Sequence, residues 1–208
     1  MGKLIITTSR CPSNSLIRFT KTLVNVFPKS LKINRGIKFF SSLFSFCLIH
    51  ESSDFIIVYE KRGTPLSLII SHLPTGPSIF FGLSNVVTQN SSSRFFLFSN
   101  SPHVLLVNLD SPVSKRITKI LSLIFPKPNQ KSQRIVSFVG EKNKIIFSHH
   151  WFQIKGPKQG DIMLKKLSPS FDMQPYKILL GTLFTKEKEV EWIITPFINK
   201  KRKKTFLY

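Results

Sequence analysis

The stretch LIITTSRCPSNSLIRFTKTLVNVFPKSLKINRG, residues 4–36, decides how this chain is read. It opens on a short apolar strand (Leu4, Ile5, Ile6), crosses a polar turn from Thr7 to Cys11, and starts a helix at Pro12 and Ser13. At helical spacing Leu16, Phe19, Leu23, Val26 and Phe27 share one face, while Arg18, Lys21 and Asn25 fall off it. Phe27-Pro28-Lys29 stops the helix, because proline has no N–H and clashes with the preceding turn. The pattern predicts a half-buried helix with a basic side left over.

The same order returns in VLLVNLDSPVSKRITKILSLIFPKPNQ, residues 104–130. Here a strand from Val104 to Leu109 leads to a helix start at Asp110-Ser111-Pro112. The apolar positions are Val113, Ile117, Ile120, Leu121 and Ile124, and a second Phe-Pro-Lys stop follows at Phe125 to Lys127. In both units Ser or Asp stands where a helix cap accepts a backbone N–H, and Pro stands where a missing donor costs nothing. The recurrence predicts an internal duplication: two strand-then-helix halves in one body.

Elsewhere, Ile37 to His50 reads as a second helix with its Phe and Leu positions largely inward. Asp54 to Tyr59 is a continuous apolar run, which predicts a central strand covered on both faces. Leu66 to Leu73 and Ser78 to Val87 read as strands around the loop Leu73 to Pro77, whose two prolines hold its shape. Gln89 to Arg94 is the expected linker. Arg134 to Val139 and Lys144 to Ile154 pair about the turn Gly140 to Asn143, and Ile162 to Leu167, Tyr176 to Phe184 and Val190 to Ile194 read as further short strands. The predicted class is α/β with α+β mixing. A first half spans residues 1–88, a linker 89–94, a second half 95–199 and a basic tail 200–208.

Charge restricts function more than fold does. Of 208 residues, 31 are Lys or Arg against 10 Asp or Glu, a net charge of +21. Such a surface calls for a polyanion, either nucleic acid or an anionic membrane. Heavy use of Phe, Ile, Lys and Asn fits A·T-rich codons and inflates the Lys count, but it does not explain why acids are so few. The most apolar window, Ile37 to Ile49, carries Lys38 and is too short to span a bilayer. The N-terminus shows neither a signal pattern nor a myristoylation pattern, so no membrane partner is expected. Cys11 and Cys47 make no disulfide framework and read as small apolar residues.

No catalytic or metal constellation emerges. His50, His72, His103, His149 and His150 are not at metal spacing, and the pair His149-His150 on a strand would point to opposite faces. There is no phosphate-cradling glycine loop. A non-enzyme with no cofactor, no metal and no small-molecule substrate is expected. The candidate phosphate contacts are Arg10, Arg18, Lys21, Arg35 and Arg62 in the first half, and Lys115, Arg116, Lys119, Lys165 and Lys166 in the second. Arg10 and Arg18 flank the first helix start, where backbone N–H groups and a guanidinium converge on one oxygen. The run Lys200, Lys201, Arg202, Lys203, Lys204 reads as a nuclear-import signal, an arm on RNA, or a solvated tail.

The residues TTSR, Pro12-Ser13 and INRG, followed by EKRGTPLSLIISHLPTGPSIFFGLSNVV at 60–87, resemble the Brix-domain family of ribosome assembly. The resemblance resumes at SKRITKILSLIFP, IIFSHHWF, PYKILLGTLF and VEWIITPFIN, and its specific segments are Arg62 to Pro65 and Ser71 to Pro77. It implies a duplicated fold whose halves are similar to anticodon-binding α/β domains, and an RNA-binding, non-catalytic role. The implied RNA partners are U3 small nucleolar RNA and the precursor of small-subunit ribosomal RNA. The implied protein partners are a large acidic phosphoprotein scaffold and a ribosomal-protein-like subunit, in the nucleolus. Alternatives are a large-subunit assembly factor of the same family, or a scaffold that docks the acidic phosphoprotein and touches RNA incidentally. Where relatives usually read Gly-Pro-Arg-Phe this chain has Ser168-Pro169-Ser170-Phe171, which removes one expected phosphate contact.

Overall fold

Ser13 stands in extended conformation and its hydroxyl accepts the N–H of Leu16 at 3.2 Å, which starts helix α1 (Asn14–Val26) where the sequence places it. Leu16, Phe19, Leu23 and Val26 are buried, and Arg18, Lys21 and Asn25 face solvent. Ser111 caps helix α3 (Pro112–Ile124) in the same way through the N–H of Ser114 at 3.0 Å, with Ile117, Ile120, Leu121 and Ile124 buried.

The computed structural model describes residues 2–88, 101–128, 132–154, 162–185 and 189–194. The remaining elements are β1 (Lys3–Thr8), β2 (Ser30–Lys32), α2 (Phe40–Ile49), β3 (Ser52–Lys61), β4 (Thr64–His72), β5 (Ser78–Val87), β6 (His103–Val107), β7 (Arg134–Glu141), β8 (Lys144–Ile154), β9 (Ile162–Leu179) and β10 (Val190–Ile193). One mixed sheet runs in the order β2-β1-β3-β4-β5-β9-β8-β7-β6, with β10 added on β9. In the first half β1 lies parallel to β3, and β3, β4 and β5 are antiparallel neighbours. In the second half β6 lies parallel to β7, and β7, β8 and β9 are antiparallel neighbours. β5 and β9 join the halves.

The alternation of side chains along β1 distributes it between two layers. Leu4 and Ile6 enter the core that holds α1 and α3, whereas Ile5 enters the core formed with Leu43 and Cys47 of α2. β3 does the same with Ile56 and Val58 against Phe55 and Ile57, so the expected two-sided central strand is found. The first core is common to both halves. Phe27 and Phe125, the two helix-stop residues, stack with ring centroids 5.3 Å apart, and Phe19 meets Phe171 edge-on at 5.5 Å. Polar ties cross in both directions. Arg134 of β7 donates to the Asn25 and Val26 carbonyls at the end of α1, at 2.6 and 3.1 Å, and Nε2 of His72 on β4 lies 3.0 Å from the Ile120 carbonyl of α3.

Three expectations are corrected. Ile162–Leu167 and Tyr176–Phe184 are not separate strands: β9 runs unbroken to Leu179, and its prolines fall where the ladder is already irregular. Pro175 lies opposite Phe81 at a register shift, and Pro169 falls within the gap between the Leu167 and Phe171 pairings. The second helix begins at Phe40 rather than Ile37, and only Leu43 and Cys47 are buried in it. Its other apolar residues are not largely inward: Phe40, Leu48 and Ile49 are exposed. The three-residue β2 was not anticipated from the sequence. The linker 89–94 lies outside the described residues.

The loop Leu73 to Pro77 is a structural clamp. Gly76 has φ +102, and a Cβ there would stand 2.3 Å from the Leu180 carbonyl oxygen. Ser78 donates to the Gly181 carbonyl at 2.8 Å, while Ser71 lies 2.8 Å from Ser78 and accepts the Leu183 N–H at 3.3 Å. Gly76→Ala is expected to lower the unfolding free energy by about 3 kcal/mol or more in urea titration, from left-handed strain combined with a backbone clash.

Candidate nucleic-acid interface

Because α1 and α3 share one core, they lie on one side of the sheet with their polar faces turned to solvent. Arg18 and Lys21 of α1 and Lys115 and Lys119 of α3 are exposed there. Lys32 on β2 feels this crowding: burial and the charge of Lys21 lower its pKa.

Four of the eight described acids are engaged in the fold. Asp54 is buried against Nδ1 of His72. Asp172 accepts from Asn85 at 2.8 Å and lies 3.6 Å from Lys144. Glu191 takes both arms of Arg116, at 2.7 and 3.0 Å. Glu60 receives the Ser13 N–H at 2.7 Å and also the Ser13 hydroxyl. That last contact corrects one expectation. The N-terminus of α1 is not open to a phosphate between Arg10 and Arg18, because a carboxylate of the chain already occupies it.

The other expected contacts separate by position. Arg10 is exposed, with its guanidinium 5.7 Å from the centre of the Phe39 ring. Arg62 is exposed at the tip of the β3–β4 hairpin. Arg116 is neutralised by Glu191, so its charge is not free for a ligand. Lys165 and Lys166 are successive residues of one strand, paired with Trp151 and His150, so they point to opposite faces and do not act as a pair. Arg35 is buried where the other expected cations among the described residues are exposed or half-exposed: it is 5% exposed, with its guanidinium 4.5 Å from the Phe40 ring centre. Lys200, Lys201, Arg202, Lys203 and Lys204 lie outside the described residues.

The buried histidines are structural. His149 accepts from Arg134 at 3.3 Å, and burial together with that guanidinium pushes its pKa down to about 3. His150 points the other way, as expected, and its pKa is lowered by burial and by Lys166. Burial opposes charge on His72, but the hydrogen bond and charge of Asp54 and the Ile120 carbonyl outweigh it, and its pKa is raised. Among the described residues no group of three His, Cys, Asp or Glu is placed to hold a metal. Phe39 and Lys38 are not among the expected contacts, because the sequence places them in a helix over Ile37 to His50 whose apolar residues fall on every side and separate no buried face.

A basic mixed sheet with α1 and α3 on one face and α2 on the other is the architecture of a known class. The family model of the Brix domain matches residues 9–177, and the chain belongs to the Brix domain family. Over 207 residues it is 37% identical to the U3 small nucleolar ribonucleoprotein protein IMP4 of Homo sapiens, covering 99% of this chain and 70% of that one. It is 38% identical to the Brix domain-containing protein ZK795.3 of Caenorhabditis elegans over the same shares. A probable ribosomal biogenesis protein from Aeropyrum pernix K1 has the same fold, with a TM-score of 0.62 at 17% identity over 84% of this chain and 96% of that one.

His72 and His149 shape stability in opposite directions. The raised pKa of His72 contributes stability that is complete below its unfolded value near 6.5 and is lost as pH rises through the folded value. The lowered pKa of His149 contributes stability present above 6.5 and lost as pH falls towards about 3. Urea unfolding across this range is expected to show a maximum near pH 6.5. In His72→Gln the alkaline fall should vanish, and stability should drop by about 3–5 kcal/mol because Asp54 is left buried without its partner.

Proposed function

We propose that this chain is a ribosome-assembly protein of the U3 small nucleolar ribonucleoprotein, working in the nucleolus as an RNA-binding component and not as an enzyme. The observation that carries the reading is the placement of two basic helix faces on one side of a single sheet, with Glu60 drawn into a helix cap and Glu191 into an ion pair. Relatives named for that ribonucleoprotein match 99% of the chain, which supports the assignment. α1 and α3, meeting at Phe27 and Phe125, offer two adjacent phosphate tracks, one from each half. The same strand order in each half supports reading the body as a duplicated unit.

In this reading the protein holds U3 RNA and the precursor of small-subunit ribosomal RNA close enough to pair. Proximity raises effective concentration, and neutralised phosphates lower the repulsion between strands. The acidic phosphoprotein and the ribosomal-protein-like subunit are its proposed neighbours. The test is in-cell crosslinking of the tagged protein with sequencing of attached RNA. Reads on U3 RNA and the small-subunit leader support the proposal, and reads on large-subunit RNA, or none, overturn it.

Lys115→Glu with Lys119→Glu is expected to weaken U3 RNA binding by tenfold or more, and to reduce the slope of log affinity against log salt by about 2, without changing the circular dichroism spectrum. Arg116→Ala should change affinity far less, because Glu191 already matches its charge. Loss of the acidic phosphoprotein with RNA binding retained would instead mark this face as a protein dock.

A further inference from the structure

The segment that opens α2 has features the fold does not need. Ile37 is 89% exposed and Phe39 is 69% exposed. α2 alone of the three described helices has no side-chain cap, since Phe39 stands at the capping position, and its first turn contains no acid. Its first backbone N–H groups therefore have no side-chain acceptor. At the same turn lies Arg35, whose carbonyl accepts the Lys38 N–H at 3.2 Å and whose guanidinium rests on the ring of Phe40, the first residue of α2. Arg35 is 5% exposed, its Nε is buried without an acceptor, and among the described residues no carboxylate pairs with it. A buried guanidinium without an anion is costly, and the chain has none nearby in sequence to offer: no acidic residue precedes Glu51.

We propose that this turn is a nucleotide site for unpaired RNA. Arg35 and the open N-terminus of α2 take one phosphate, Arg10 and Lys38 flank it, and the exposed ring of Phe39 stacks the adjoining base. This deepens the RNA-binding reading above and rests on it. Phosphate supplies the acceptor that Arg35 and the helix end both lack. A flat aromatic ring largely in solvent, with a guanidinium 5.7 Å from its centre, is the surface that stacks single-stranded bases irrespective of sequence. Paired RNA has its bases stacked internally and cannot use Phe39, so the site distinguishes single strands from duplex.

The test uses the full chain with a fluorescein-labelled single-stranded oligoadenylate and a blunt duplex of the same length. Phe39→Ala, at an exposed position, is expected to weaken the single strand about tenfold and leave the duplex unchanged. Arg35→Met removes the charge but keeps the bulk. It should melt no lower than the parent protein, yet lose single-strand affinity and the thermal protection that the oligonucleotide confers. If both variants bind the single strand like the parent, the proposal fails although general RNA binding stands; if the parent binds neither RNA, the broader reading fails first. Protection by inorganic phosphate alone with no effect of Phe39→Ala, or loss of polyglutamate binding in place of RNA binding, would also overturn it.

Discussion

The stacking of Phe27 on Phe125 is the contact on which the rest depends. Each ring ends a helix, each helix belongs to a different half, and their meeting makes one core out of two sets of strands. Arg134 satisfies the last carbonyls of α1 from the second half, and His72 reaches a carbonyl of α3 from the first. Helix-end carbonyls without acceptor-matching donors would otherwise be costly inside a protein. Neither half can therefore be lifted away without orphaning polar groups in the other.

That shared core also decides the electrostatics. Helices held on one side of a sheet present their outward residues together, and this chain has given those positions to Arg and Lys. Three acids do structural work: Glu60 on a helix start, Asp54 on a buried histidine, Glu191 on Arg116. A carboxylate used as a cap no longer neutralises a phosphate-binding face. High positive charge and a stable fold are reconciled by spending acids where geometry rewards them most.

The first half is covered on both faces of its sheet, by α1 and by α2. α2 carries apolar residues on both sides, so burying one leaves Leu48, Ile49 and the residues before the helix exposed beside Ser41, Ser42 and Ser45. The surplus of apolar and aromatic surface next to Arg10, Arg35 and Lys38 is where the architecture exceeds what packing requires. The family segment at Ser71 to Pro77 is the opposite case. Ser71, Gly76 and the adjoining Ser78 hold the 180–183 turn, so the motif accompanies a tight backbone approach.

Local rules determined much of this protein from sequence alone. Ser13 and Ser111 start helices, Leu16 to Val26 and Ile117 to Ile124 turn inward, and Asp54 to Tyr59 forms a central strand, because capping and periodicity act over a few residues. Prolines misled where the sheet was irregular: Pro169 and Pro175 sit inside one long strand at breaks in its register. Which cations remain available was decided by tertiary structure. Arg18 and Arg116 carry the same charge on the outer side of α1 and α3, yet of the two only Arg116 meets a carboxylate, brought to it from β10 far along the chain. Arg35 appears as another surface cation in sequence and is buried on Phe40 in the fold. Charge is a property of composition, whereas its availability depends on which side chain the folded backbone places opposite it.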